Sequence, residues 1–380
     1  MIQKICIISA YYPSKNDPIY AFVGTLVNQF ADKGIECHVI SPVSGIEKKH
    51  RAKSRTEFTA SGAKIHVYCP HYTVFPSRKI FGYETYRLTV YSKQKAIQRA
   101  FDKYVKDCDA IYSHFIDSGV QAALLSDKTG IPAFVAVGES RITNKKLDYT
   151  LFKDALHRHI KGMISVSSEL KNDIVRYDVV SAKTPIAVFP NAIDTSLFKP
   201  MDKTEQRKKL GLSVTDFVVS FVGSFIERKG FDKVQQVISR HPEWKCVLIG
   251  DGDIPVTVKK EQIAFSGRVS HDQIPGYLCA SDVFVLPTQA EGCCNAIVEA
   301  MGCGLPIVSS DRGFNYDILT RDYSVMIDPD SIDEIDRALV HYASDLQQRK
   351  EHAENSLQAG MALSIQNRAD KIMSFMEGNL

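Results

Sequence analysis

The stretch from Asp282 to Ser310, DVFVLPTQAEGCCNAIVEAMGCGLPIVSS, constrains the fold more than any other. Val283 to Leu286 is a short unbroken apolar run, the pattern of a strand buried on both faces. Pro287 and Thr288 end it, and a polar turn holding Glu291 and Gly292 follows. Ala296, Ile297, Val298, Ala300 and Met301 then space as a short helix, with Asn295 near its N-terminus. Gly302 and Gly304 stop the helix, and Leu305 to Val308 reads as a second buried strand. Strand, loop, helix and strand in that order make a parallel βαβ unit. Its loop lies at the C-terminal edge of a strand, where open α/β sheets bind ligands. Backbone N–H groups around Cys293, Cys294 and Asn295 favour an anion there, phosphate in particular. Glu291 and Glu299 can face the same crevice without adjoining each other.

Spacing alone also allows a polar loop glutamate and a solvated helix glutamate. The whole string, Glu-Gly-x-x-Asn-x-x-x-Glu-Ala-x-x-x-Gly-x-Pro, closely resembles the donor-site signature of retaining glycosyltransferases of family 4. The resemblance implies that Glu291 contacts the donor sugar and Glu299 holds the ribose of the nucleotide. Gly292, Cys293, Cys294 and Asn295 would line the same donor site.

A chain of 380 residues is too long for one ordinary core, so two domains are expected. A formal charge of +3 gives no argument for nucleic acid as a partner. No apolar run approaches the roughly 20 residues that span a bilayer, and MIQKICIISAYYP reads as a first strand rather than a signal peptide. Nine cysteines without a C-x-x-C pair, several inside apolar runs, fit reduced buried thiols and a cytoplasmic location. Cys293 and Cys294 have no further ligands at zinc-binding spacing, so no metal is expected.

The first 41 residues read as strand, loop, helix and strand, with Phe22, Leu26, Val27 and Phe30 apolar at helical spacing over 23–33. The loop resembles the family's opening pattern, although Ala21 stands where relatives carry a glycine and Gly24 comes later. Residues 46–58 hold Lys48, Lys49, Arg51, Lys53 and Arg55 with little apolar content. They read as a solvated loop or as a surface for anionic lipid or a diphosphate-bearing acceptor; the two are compatible. Arg78 and Lys79, with Phe75, Phe81 and Tyr83, extend that basic and aromatic surface. A long helix is expected over 84–105. His114 ends the strand 110–115, and SHFIDSG resembles the family's His-Phe…Ser-Gly, in which the His faces the donor sugar. Gly138 and Glu139 follow another strand, at the place the family uses near the acceptor.

PNAIDTSLFKP resembles the family's domain-junction string, with Ala192 replacing the usual glycine. In VGSFIERKGFDKV, Gly223, the basic pair Arg228 and Lys229 and a helix opening at Gly230 form an anion-binding layout. Lys229 matches the family's diphosphate lysine. Ser224 stands where an arginine is common, and Arg228 is the substitute cation. The resemblance gives the base to the backbone of Gly267, Arg268 and Val269. It gives closure over the donor phosphates to the segment holding Asn315 and Asp317. Gly250 to Asp253 reads as a turn.

The resemblance implies an α/β chain of two Rossmann-like domains facing each other across a cleft, the GT-B architecture. Residues 1–198 would form the acceptor domain, with a C-terminal helix, about 366–380, packing back on it. Residues 199–365 would form the donor domain. The implied reaction transfers a sugar from a nucleotide sugar, a UDP-sugar, to a saccharide or lipid-linked hydroxyl with retention. Bacterial cell-surface polysaccharide synthesis is its setting, at the inner face of the membrane. Glu291, His114 and Lys229 would be the catalytic residues, with no cofactor required. The rivals are a catalytically silent nucleotide-sugar-binding protein and a sugar-nucleotide epimerase of the same architecture.

Overall fold

The computed structural model describes residues 1–14, 19–47, 52–142 and 147–380. It divides into two compact units, Met1–Phe189 with Ala369–Leu380, and Pro190–Arg368. The division falls at Phe189, ahead of the boundary expected after 198. The reason is local. Ile193 bridges Ser364, and the side chain of Asn191 donates to the Cys293 carbonyl at 2.9 Å, so this string is stitched into the second unit.

The first unit is built on eight strands: β1 (Lys4–Ile8), β2 (Glu36–Ile40), β3 (Ser54–Phe58), β4 (Lys64–Tyr68), β5 (Ala110–His114), β6 (Ala133–Val137), β7 (Ile160–Ser165) and β8 (Ile186–Val188). Their order is β8-β7-β6-β5-β1-β2-β4-β3. All pairings are parallel except that of β3 with β4. Helices α1 (Ala21–Asp32), α2 (Tyr86–Ala100) and α3 (Phe115–Thr129) belong to this unit. The expected helix over 84–105 is shorter, because Tyr83–Glu84 is spent in a hairpin and Phe101–Val105 widens into a π-turn.

β3 corrects the reading of 54–58 as part of a solvated loop. An edge strand with alternating exposed and half-buried residues needs few apolar side chains, so charge concealed it. Arg55 is not part of an exposed basic cluster. Its Nε donates to Glu57 Oε1 at 2.6 Å and its Nη2 to the Pro13 carbonyl at 2.8 Å. Lys53 is exposed, while Lys48, Lys49 and Arg51 lie outside the described residues.

The second unit has strands β9 (Val218–Val222), β10 (Lys245–Ile249), β11 (Ile263–Gly267), β12 (Val283–Leu286), β13 (Ile307–Ser310) and β14 (Ser324–Ile327). They are all parallel, in the order β11-β10-β9-β12-β13-β14. Helices α4 (Phe231–Arg240) and α5 (Asn295–Gly302) follow β9 and β12. Val283, Phe284, Val285 and Leu286 are fully shielded from water, as a central strand of a covered sheet requires. Each such side chain contributes about 1.5–3 kcal/mol of transfer free energy. The strand order reverses between β9 and β12, and open α/β sheets bind ligands outside the C-terminal ends of the strands at such a point. In the first unit the corresponding reversal lies between β1 and β5.

The C-terminal helix α6 (Ile365–Glu377) ends in the first unit. Its Phe375 packs edge-on against Phe134 and Phe189, and Glu377 accepts a 2.8 Å hydrogen bond from the Ile2 amide.

Candidate functional site

The loops after β9 and β12 meet at the switch point of the second unit. Gly230 makes the approach possible. Its φ is +69°, and a Cβ there would lie 2.6 Å from the Pro287 carbonyl oxygen. Gly250 does the same for the turn after β10: a Cβ would fall 1.9 Å from the Gly223 oxygen. The Gln289 amide donates to the Arg228 carbonyl at 2.9 Å, lacing the loops together.

Glu291 sits where they cross. Its Oε1 accepts from Lys229 Nζ at 2.5 Å, from Thr288 Oγ1 at 2.9 Å and from Arg228 Nη1 at 3.2 Å. Arg228 also donates to the Ala290 carbonyl at 2.5 Å. The Lys229 and Glu291 side chains are each 14% exposed, whereas Arg228 is 45% exposed. The structure therefore brings three sequence candidates into one cluster. Both cations keep donor capacity beyond the carboxylate, since an ammonium has three N–H bonds and a guanidinium five. Ser224, in the place of the common arginine, is exposed.

Beside this cluster α5 begins. Cys294 is its N-cap residue. Asn295 Oδ1 accepts from Asn191 Nδ2 at 2.8 Å, which fixes the helix start against the 190–193 string. Gly292, Cys293 and Cys294 are buried. Burial pushes the Cys293 thiol up to about 12 and the Cys294 thiol to about 11, so neither is a thiolate nucleophile at neutral pH. Glu299 lies on α5 and is held apart from Glu291 by a different partner, His271, whose Nε2 is 2.9 Å from Glu299 Oε1. That hydrogen bond, with the charge of Glu299, raises the His271 pKa above 6.5 against the opposing effect of burial.

Gly267 closes β11, and its carbonyl accepts from the Gly250 amide at 2.9 Å. Arg268 is exposed and pairs with Asp251 at 2.7 Å, while Val269 is half-buried. Asn315 is fully buried, and its side chain donates to the Ser310 carbonyl at 2.8 Å. It braces the end of β13, so as a side chain it does not close over a ligand. Among the described residues no group of three or more His, Cys, Asp and Glu comes together as a metal centre.

Comparison with known proteins settles the family. "Glycosyltransferase Family 4" matches residues 21–197 and "Glycosyl transferases group 1" matches 202–358. The chain belongs to glycosyltransferase family 4. Among its relatives is the Bacillus subtilis glycosyltransferase TuaC, assigned to teichuronic acid biosynthesis. It is 27% identical over 90% of this chain and 89% of its own. An Escherichia coli UDP-Gal:alpha-D-GlcNAc-diphosphoundecaprenol alpha-1,3-galactosyltransferase is 27% identical over 70% of this chain and 74% of its own. Anabaena HepE, solved with UDP, superposes with a TM-score of 0.73 at 17% identity, covering 99% of this chain and all of that one. The fold of this glycosyltransferase is accordingly GT-B.

The switch point of the first unit is chemically different. His114 ends β5, buried, with the rings of Tyr112 and Phe22 edge-on at 5.1 and 5.7 Å. Tyr20 and Phe115 pack edge-on with centroids 5.3 Å apart, although both hold a left-handed backbone, φ +61° and +66°. Only a surrounding that over-determines them keeps such residues there. Glu139 accepts from the Ile116 amide at 2.9 Å at the start of α3, and its other oxygen accepts from the Gly138 amide at 3.2 Å. Gly24 lies within α1 against Pro13 and lines a cavity of 830 Å³ with Tyr12, Thr25, Asn28 and Arg55.

Three residues of the glycosyltransferase's second unit escaped the sequence reading: Thr288, His271 and Asn191. Thr288 sits inside the organising stretch and carried a signal, a hydroxyl at a strand end. Asn191 sits in the junction string, which gave no sign of its partners 102–104 residues away, and His271 carried no signal, its partner lying 28 residues away.

Proposed function

We propose that this glycosyltransferase moves a sugar from a UDP-sugar to a hydroxyl of a saccharide or lipid-linked acceptor. Anomeric configuration is retained and no metal is required. The observation that carries the reading is the Lys229–Glu291 pair, with Arg228 beside it, at the C-terminal edge of β9 and β12. An enzyme that releases a nucleoside diphosphate must neutralise charge as it develops, and preorganised cations do so at no reorganisation cost. The bond between the anomeric carbon and the phosphate oxygen breaks, and the acceptor oxygen bonds to that carbon from the same face. The acceptor proton passes to the departing phosphate oxygen. Lys229, Arg228 and the N-terminus of α5 face the leaving group. Glu291 orients the donor sugar and holds Lys229; it is not a covalent nucleophile. Glu299 takes the ribose. Gly223, Ser224, Gly267, Arg268 and Val269 line the donor site. His114 keeps the role that the family resemblance gives it, and Gly138, Glu139 and Gly24 belong to the acceptor side.

Names of relatives support the substrate classes. One relative uses UDP-galactose and a diphosphoundecaprenol-linked acceptor, and another is assigned to teichuronic acid biosynthesis. Bacterial cell-surface polysaccharide synthesis is the setting they favour. None of the nine cysteines is in a disulfide, which supports a cytoplasmic location.

The test is Glu291→Gln. Turnover of the UDP-sugar with acceptor falls by at least about a hundredfold, while UDP still raises the melting temperature. Unchanged turnover would remove Glu291 from the mechanism. A UDP-induced shift in wild-type protein that turns over no sugar nucleotide would favour the silent binding protein instead.

A further inference from the structure

A two-residue hairpin in the first unit presents an apolar tip to water. Lys79–Ile80 and Tyr83–Glu84 pair antiparallel around Phe81 and Gly82. Both tip residues have positive φ, +47° and +82°, as the favoured type I′ hairpin turn demands. Asparagine or aspartate normally takes the first of these positions, because a bulky side chain is strained there. Here a phenylalanine occupies it, 106% exposed. Strain and exposure together bring this side chain no return within the chain.

The stem, by contrast, is fixed. Thr85 Oγ1 accepts from the Arg78 amide at 2.9 Å and donates to the Pro76 carbonyl at 2.5 Å. Thr89 Oγ1 accepts from the Phe75 amide, and Ser92 Oγ from the Thr73 amide, each at 2.9 Å. Positions 85, 89 and 92 fall on one face of α2. This row of hydroxyls clips the 73–78 strap to the helix and holds the hairpin in place. Ile80 and Tyr83 are exposed beside the tip, at 49% and 45%. Arg78 and Lys79, also exposed, flank them.

We propose that this hairpin docks the protein on an anionic lipid surface. Phe81 and Ile80 enter the headgroup–acyl boundary, Tyr83 sits at the interface, and Arg78 and Lys79 meet anionic headgroups. Charge complementarity selects the bilayer over a protein partner. A short aromatic and aliphatic tip with Arg78 and Lys79 on one strand, Lys79 lying opposite the half-buried Glu84, matches the depth profile of a membrane interface, apolar below and anionic above. Arg55 of the basic segment 48–55 takes no part, since it is turned into the unit. The inference is independent of the donor-site reading.

The experiment is vesicle flotation of the full-length protein with phosphatidylcholine vesicles, with and without phosphatidylglycerol. Wild type floats with the anionic vesicles, and added salt weakens the association. Phe81→Asp lowers the partition at least about tenfold, and Arg78→Ser with Lys79→Ser removes the preference for phosphatidylglycerol. Phe81→Asp leaves the melting temperature and its shift with UDP unchanged, because the tip packs on nothing in the core. Equal flotation of wild type and Phe81→Asp overturns the proposal. So does a wild type that ignores vesicles but self-associates through the hairpin, which makes this face a contact between copies.

Discussion

Strand β12 carries a carboxylate–cation cluster at each end, and the two are built differently. At its N-terminal end Asp282 accepts from Lys203 Nζ on Oδ1, and from Arg207 Nη2 and the Val218 amide on Oδ2, all at 2.7 Å. Both Asp282 and Arg207 are buried, and Arg207 gives three further N–H groups to the carbonyls of Ala280, Ser213 and Val214. At the C-terminal end the bonds to Glu291 converge on one oxygen, and Arg228 is half exposed. The first cluster closes its carboxylate and most of the Arg207 donors inside the fold, with Lys203, 44% exposed, at its edge. The second leaves cationic capacity facing the switch-point crevice. Ion pairing by itself therefore does not mark a functional group; saturation and the end of the sheet do. Parallel α/β sheets use their C-terminal edges for ligands.

The comparison can be broken most directly at Asp282. Asp282→Asn leaves Arg207 buried without its counter-charge. It should cost about 3–5 kcal/mol of unfolding free energy, read by denaturant titration monitored on the second unit. Glu291→Gln keeps an acceptor oxygen for Lys229 and Thr288, so it should cost less, about 1–2 kcal/mol, in the same titration while lowering turnover at least about a hundredfold. If the two variants lose equal stability, the distinction between the ends is wrong.

A smaller effect sharpens the geometry of the functional end. Gly230→Ala must adopt a left-handed φ and displace the Pro287 carbonyl. A loss of about 2 kcal/mol is expected, together with weaker nucleotide binding, because Lys229 precedes it. Wild-type stability and UDP-induced thermal shift in this variant would show that the loops tolerate separation.

The smallest effect is a pH dependence. His271 gains its partner Glu299 on folding and its pKa is raised. The pair's contribution is therefore fully present below about pH 6.5 and is lost as pH rises through the raised folded value. His271 is 61% exposed, so the term is at most about 0.5 kcal/mol. Comparing stability of wild type and His271→Gln at about pH 6 and about pH 8.5, on either side of the ordinary histidine value, isolates it. A difference that grows with pH would reverse the sign and reject the assignment.

The sequence by itself determined the elements and the inventory of the site. The apolar run 283–286, the helix opening at Asn295 and the strand 307–310 follow from local periodicity, which reports burial. Glu291, Lys229 and Arg228 stand in loops that follow buried strands, and the resemblance to family 4 is what singled out Glu291, Lys229 and, on α5, Glu299 as site candidates. Only the tertiary structure decided the pairings. Lys229 meets Glu291 across 62 positions, His271 takes Glu299, and Asn191 ties down α5. Only the structure, too, turned Arg55 inward on an edge strand, made Asn315 a brace and left Phe81 in water. Periodicity records which face of an element is covered. It carries no information about which loop, from another strand, arrives opposite a given charge, and that is set by the order of strands in the sheet.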